Sequence, residues 1–367
     1  ITCRDWSSDV CSSDLTNKNL KINLNGFYHQ WDIPVLKSDK TYKKFDFYGN
    51  ENLNLSTDFL LLIKGMSLFG EASMSKNKAY AFIGGGSVFI SDRLTATFLF
   101  RQFDRDHQSF YGKPFSENGR AQNETAFYTG IKWAAMRKMS LSAYFDQYKF
   151  PWMKFSVSSP SSGYGAFLQA DYSVSLNTRL LARYGYNQKQ TNQSLTDSLP
   201  QLNTIAPGTH KFRFEIRHTP KVFLTLKTRI DYVKYLSNNS PEEGIYAFQD
   251  LQYSFQKFPL TFTTRIGVFD TKSYNSRLYA YESDVLYAFS VPAVYQQGMR
   301  TYFMVEYSPT RNLDIWVRLA QSYYTGEKKI GTALDEIEGP SKTEIKKKLK
   351  WSFYLDFSDP SNFYTNK

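Results

Sequence analysis

The stretch from Thr209 to Tyr235 constrains the fold most. Read two residues at a time, Phe212, Phe214 and Ile216 share one face, and Lys211, Arg213, Glu215 and Arg217 share the other. After a break at His218-Thr219-Pro220-Lys221 the alternation resumes. Leu224, Leu226, Ile230 and Tyr232 oppose Thr225, Lys227, Arg229 and Asp231. Successive side chains on a strand point to opposite faces, so the stretch predicts one long hairpin, apolar on one side and charged on the other. Each arm has roughly ten residues, beyond the ~5–6 usual in soluble sheets and close to the ~9–11 that cross a tilted bilayer.

Composition points the same way. A helical membrane protein would carry runs of about 18 apolar residues, and this chain has none. Yet 17% of the 367 residues are aromatic, while mean hydropathy is −0.48. A barrel hides its hydrophobicity in alternation and places aromatic rings at the membrane interfaces, which reconciles those two numbers. The fold class expected is therefore all-β: a transmembrane antiparallel up-and-down β-barrel, repeating the hairpin unit. The net charge of +11 has two readings. It is solubility and loop charge, or it is a basic lumen or rims that meet anionic lipid.

The rest of the chain repeats the pattern. Strands are expected over 79–90 and 94–103, 123–133 and 138–148, 164–174 and 178–187, and 245–255 and 260–270. Tight turns join the two members of each pair, and long polar segments separate the pairs. Outer-membrane barrels segregate short periplasmic turns from long external loops in this way. The count comes to roughly 16–18 strands. Gly84-Gly85-Gly86 lacks the following helix and Lys-Ser/Thr pair of a phosphate loop, so a bend or bulge in a strand is expected. Segment 271–298 reads either as a strand or as a loop folded into the lumen. In the closing strand Ile345, Leu349, Trp351 and Phe353 alternate with Lys346, Lys348 and Lys350.

Both cysteines, Cys3 and Cys11, lie in the first fifteen residues. That segment shows no strand alternation and no signal-peptide pattern. It resembles the translated read-through of a sequencing adapter, and a disulfide-closed loop is the rival reading. The organisation expected is an artefactual, disordered 1–15, a barrel over 16–357 and a tail over 358–367.

Several segments resemble a family of Bacteroidota outer-membrane barrel proteins, over roughly residues 90–353 as aligned by such motifs. They are Ser109-Phe110-Tyr111-Gly112 with Phe115-Ser116-Glu117-Asn118, Phe150-Pro151-Trp152, Ser276-Arg277-Leu278-Tyr279-Ala280-Tyr281-Glu282, and Leu334-Asp335-Glu336-Ile337-Glu338-Gly339. In that family a helix-hairpin-helix module commonly precedes the barrel. No such module occurs in this chain, so the resemblance assigns no nucleic acid to this portion.

Chemistry is sparse. The best catalytic cluster is Asp104-Arg105-Asp106-His107, where an Asp–His pair at a rim could activate water; the rival is a solvated charged loop. His210 and His218, the latter placed in a Pro-containing turn, have no Ser in a nucleophile setting. No catalytic residue, cofactor or metal site is expected, although Glu242-Glu243 and Asp335, Glu336 and Glu338 are local acidic groups.

The charged faces say more. A charge facing mid-bilayer lipid costs about 2–4 kcal/mol, so alternation sends these groups inward. The expected lumen set is Lys211, Arg213, Glu215, Arg217, Lys227, Arg229, Asp231, Arg318, Lys346, Lys348 and Lys350. An unpaired cationic excess would make a pore prefer anions. A lumen shut by ion pairs and aromatics would make a structural barrel. The functions expected are passive, porin-like passage in a Gram-negative outer membrane, or a barrel anchoring the helix-hairpin-helix module, or, weakest, a hydrolase. Expected partners are outer-membrane lipid, lipopolysaccharide and the barrel-assembly machinery.

Overall fold

The computed structural model describes residues 6–192, 204–237, 241–331 and 336–352. Seventeen long strands belong to one antiparallel sheet, sixteen of them from Leu20 onward. They run from 10 residues in Met66–Ser75 to 16 in Leu20–Val35, long enough to cross a membrane. A single 3-10 turn at Thr41–Lys43 is the only helical element among the described residues. The class is the one the alternation demands: all-β, antiparallel and up-and-down.

The chain forms two compact units. The first comprises Ile1–Tyr172, Leu181–Phe212 and Lys234–Pro241. It holds β1 (Trp6–Thr16), β2 (Leu20–Val35), β3 (Gly49–Ile63), β4 (Met66–Ser75), β5 (Tyr80–Ser91), β6 (Leu94–Phe103), β7 (Glu124–Met136), β8 (Met139–Phe150) and most of β9 (Ser161–Ser175). Each of these strands pairs with the next in the chain. Two-residue turns such as Lys64-Gly65 and Asp92-Arg93 close one end. Gly65 sits there at φ 77°, a conformation that glycine adopts without strain. One face of the unit is apolar and exposed, with Phe98, Phe100, Phe127 and Ile131. The other is polar: Asp58 accepts hydrogen bonds from Asn23 (2.7 Å) and Asn25 (3.1 Å).

The second unit comprises Ser173–Leu180, Arg213–Val233 and Glu242–Lys367. Its strands include β12 (Leu224–Leu236, to Val233), β13 (Pro241–Ser254, from Glu242), β14 (Leu260–Thr271), β15 (Gln297–Thr310), β16 (Leu313–Tyr324) and β17 (Ser341–Trp351). β13 to β17 pair in sequence. The residues of β10 (Thr178–Lys189) and β11 (Gly208–Lys221) are divided between the two units, Leu181–Phe212 belonging to the first. In β14 the alternation is complete: Ile266 and Val268 are exposed, while Arg265, Phe269 and Thr271 are buried. The core of this unit gathers Tyr246, Phe248, Phe269 and Tyr324 from the strands with Leu278, Ala280 and Val294 from the segment 272–296.

Five expectations need comment. Of residues 1–15, expected to be disordered, 1–5 lie outside the described residues, and Trp6–Thr16 pairs with β2 from Trp6↔Trp31 to Thr16↔Lys21. The reason is an unpaired edge, whose free N–H and C=O groups template any adjacent chain. His218 lies inside β11, not in a turn, and the turn falls at Val222-Phe223. Gly84-Gly85-Gly86 is neither bent out of register nor bulged, for its pairings to β4 and β6 are continuous. Glycine is required instead by close approach: a Cβ on Gly85 would collide with the Phe98 carbonyl. Segment 271–298 resolves as a loop on the polar face of the second unit. The tail 358–367 and the end of the barrel at 353–357 lie outside the described residues.

Candidate functional site

The segment 272–296 is a short hairpin laid on the polar face. Leu278–Tyr279 pairs with Ala293–Val294, and Glu282 bridges Ser290. Its alternation is that of a strand, so its two faces differ. Leu278, Ala280 and Glu282 are buried, whereas Tyr279 and Tyr281 are exposed.

Glu282 anchors it. The Arg300 guanidinium, on β15, donates to Glu282 through Nε and Nη2, both at 2.9 Å. Arg318, on β16, donates to the same carboxylate and, through Nε, to the Ser283 carbonyl at 3.0 Å. One fully buried carboxylate thus holds two fully buried guanidiniums. Arginine suits this role because its planar fork matches a carboxylate and stays charged when buried. Lys346, on β17, binds Asp284 at 2.6 Å. Deeper in the wall, Arg265 forms a two-bond pair with Asp250 at 2.6 and 2.8 Å.

The expected lumen residues can now be placed. Arg213 and Arg229 both bind Asp231, at 2.7 and 2.6 Å. Lys227 binds Asp250 at 2.6 Å. Arg318 and Lys346 bind the loop, and Lys350 lies 3.8 Å from Asp314. Glu215 is half-buried. Lys211, Arg217 and Lys348 are exposed and make no ion pair among the described residues. Within this set the cations without an ion pair among the described residues are thus Lys211, Arg217 and Lys348; carboxylates, Asp231 among them, meet the others, as an unpaired buried charge would be costly.

Sequence reasoning missed the anchors. Glu282 is one of two carboxylates, with Asp284, in an aromatic stretch, and Arg101, Arg265 and Arg300 are each the one cation of a largely apolar strand. Each was a legible signal, since a buried charge demands a partner, but the partner's identity is tertiary.

The first unit has its own buried charge cluster. Arg101, on β6, donates to Glu124 at 2.6 Å and to both oxygens of Asp146 at 2.9 Å. Glu124 also accepts the backbone amides of Glu117 (3.1 Å) and Asn118 (3.0 Å) from the loop 104–123. The same loop is held by neutral contacts. Asn52 and Asn54 donate to the Gln108 carbonyl at 3.0 and 2.8 Å. His107 is buried, with Nδ1 2.7 Å from the Ala121 carbonyl and Nε2 3.3 Å from the Ser73 hydroxyl. Burial lowers its pKa, partly countered by the Ala121 bond and by the charges of Asp104 and Asp106. Asp104 accepts the Tyr80 amide at 2.9 Å. The Asp–His pair of a hydrolase is therefore not assembled. His210 and His218 meet the hydroxyls of Tyr184 and Thr178, each at 2.9 Å. Among the described residues no group of three or more His, Cys, Asp or Glu could hold a metal ion. Glu242 accepts a bond from Ser273, and Glu336 pairs with Lys329 at 2.6 Å.

No protein-family model matches the chain, and no curated protein matches it. Among solved structures, the copper transporter OprC aligns at a TM-score of 0.49 and 14% identity, over 87% of this chain and 60% of that one. The FrpB iron transporter from Neisseria meningitidis (F3-3 variant) aligns at 0.46 and 8%, over 87% and 60%. OmpT, an outer membrane protein of Vibrio cholerae, aligns at 0.41 and 11%, over 92% and 99%. The chain thus spans about 60% of the length of the first two. At these scores the likenesses carry no weight on function. The class rests on the chain's own geometry: long antiparallel strands, one face exposed and apolar, the other lined with ion pairs. The fold is that of an outer-membrane β-barrel. In such a setting Ile266, Val268 and Phe303 face lipid, and the arginines face away from it.

Proposed function

We propose that this barrel passes small hydrophilic solutes passively, in porin-like fashion and without catalysis, and that the loop 272–296 sets the room available. One observation carries the reading: a polar face bears a separate loop, clamped by Glu282 rather than fused into the wall. The exposed Lys211, Arg217 and Lys348 supply a mild preference for anions. Lipid and lipopolysaccharide cover the apolar face, and the barrel-assembly machinery inserts it.

The second reading is a structural barrel that anchors the helix-hairpin-helix module of the Bacteroidota family. The density of ion pairs on the polar face of the second unit favours it, since ion pairs and aromatics fill space there. Single-channel recording in planar bilayers separates the two. Discrete steps with an anion-directed reversal potential support passage, and a silent bilayer supports the anchor.

A further inference from the structure

The outward-turned side of the loop 272–296 has a composition that the clamp does not explain. With its buried side committed to the wall, the hairpin presents Tyr279, Tyr281, Tyr287 and Phe289. Tyr287 is 85% exposed and Phe289 79%. Tyr281 and Phe289 lie with ring centroids 5.4 Å apart and planes tilted by 42°, so the two rings offer adjoining, inclined faces across the hairpin. Exposed rings on a polar face lose favourable burial, so a purely structural loop would carry polar residues there.

Two further observations mark the strip. Tyr287 holds φ at 64°, a left-handed conformation that a bulky residue rarely adopts, at the tight turn where the Ala288 amide binds the Val285 carbonyl (2.9 Å). The strained turn directs the most exposed ring of the loop. Cations also flank the rings. Lys348 of β17 lies 5.7 Å from the Tyr287 centroid, and the Arg277 guanidinium donates to the Tyr279 hydroxyl at 2.6 Å.

Flat aromatic faces bind the apolar faces of sugar rings, and the cations beside them select negative charge. We propose that this strip is a binding site for acidic saccharides in transit, with Tyr281 and Phe289 as the stacking rings and Lys348 and Arg277 as the charge selectors. The proposal deepens the passage reading and rests on it for its purpose, but binding can be measured without transport.

The full chain is titrated in detergent with trigalacturonate, maltotriose and phenylacetate by calorimetry, and the same probes are tested for current interruption in planar bilayers. Trigalacturonate is expected to bind about tenfold tighter than maltotriose, in keeping with charge selection by exposed cations. Tyr281→Ala with Phe289→Ala should weaken trigalacturonate binding about tenfold, and Lys348→Gln should bring the acidic and neutral sugars closer together. Equal affinity for the two sugars overturns the charge selection. Binding of phenylacetate alone overturns the saccharide class. Absence of all binding overturns the site. A silent bilayer with intact trigalacturonate binding defeats the passage reading and leaves the site standing.

Discussion

Two loops lie on polar faces, one in each unit, and they are held by different chemistry. The loop 104–123 is fastened mainly by neutral groups: Asn52 and Asn54 on the Gln108 carbonyl, and His107 between Ala121 and Ser73. Three carboxylates also touch it: Glu124 of the wall, already neutralised by Arg101, and the loop's own Asp104, on the Tyr80 amide, and Glu117, paired near the surface with Lys189 at 3.0 Å. The loop 272–296 brings buried charge. Glu282 and Asp284 supply the carboxylates, and the wall supplies Arg300, Arg318 and Lys346. Remove the first loop and the wall charges of Arg101, Glu124 and Asp146 still pair. Remove the second and two guanidiniums lose their close carboxylate, keeping only that of Glu344, 4.0 Å from each. The same arginine–carboxylate pairing thus closes within the wall in the first unit, and in the second it also fastens a loop to the wall.

The sharpest way to break this contrast is Glu282→Ala. Arg300 and Arg318 cannot shed their protons, so truncating the shared partner of a buried pair should cost on the order of 3–5 kcal/mol. The variant relieves that cost by releasing the loop and admitting water. Limited proteolysis should nick within 272–296 in the variant and not in the wild type, while 104–123 stays intact. Equal resistance of both loops in the variant would erase the distinction.

Arg101→Met tests the wall pairing from the opposite side. Glu124 and Asp146 lose their counter-charge, but carboxylates can protonate, and Glu124 keeps two backbone amides. The loss should be smaller, about 2–3 kcal/mol, read as a lowered temperature of heat modification on gels. No loop should become protease-sensitive.

A control common to both units comes from backbone packing. A Cβ at Gly85 would strike the Phe98 carbonyl, and one at Gly298 would strike the Tyr323 carbonyl. Gly85→Ala and Gly298→Ala should each cost about 1–3 kcal/mol through forced strand displacement. Similar losses would show that the sheets are built alike and only the loops differ.

What was legible in the sequence divides along the same line. The wall was, because its period of two repeats at every strand: Phe98 and Phe100 against Arg101, Ile266 and Val268 against Arg265. In the hairpin Thr209–Tyr235 the same alternation holds: Phe212, Phe214 and Ile230 are exposed, and Arg229 and Asp231 are buried. The loops were not. Nothing local in Tyr281-Glu282-Ser283 says that its carboxylate meets arginines some 18 and 36 positions away. Asp231 could be read as a partner because it shares the hairpin with Arg213 and Arg229, whereas Asp250, the partner of Lys227, sits on another strand and could not. Burial energetics demand a partner without naming it. The leading strand misled in the other direction, because an edge recruits backbone regardless of side-chain pattern.

The smallest expected effect concerns pH. Burial depresses the His107 pKa in the folded chain, and an unfolded histidine titrates near 6.5. Between 6.5 and the lower folded value, the opened loop binds a proton that the closed loop refuses. Its closure is therefore fully favourable above about pH 6.5 and weakens as pH falls through that value toward the folded pKa. The loop 272–296 contains no histidine, so it should show no such histidine step between pH 7 and 5. Amide exchange, normalised for its intrinsic slowing with acid, should rise in 104–123 alone as pH falls across that range. His107→Gln keeps a group able to donate to the Ala121 carbonyl and removes the titration, so its exchange should be flat with pH. A pH step that persists in His107→Gln, or one that appears equally in 272–296, would show that the two loops share a titrating element and that their attachments are not independent.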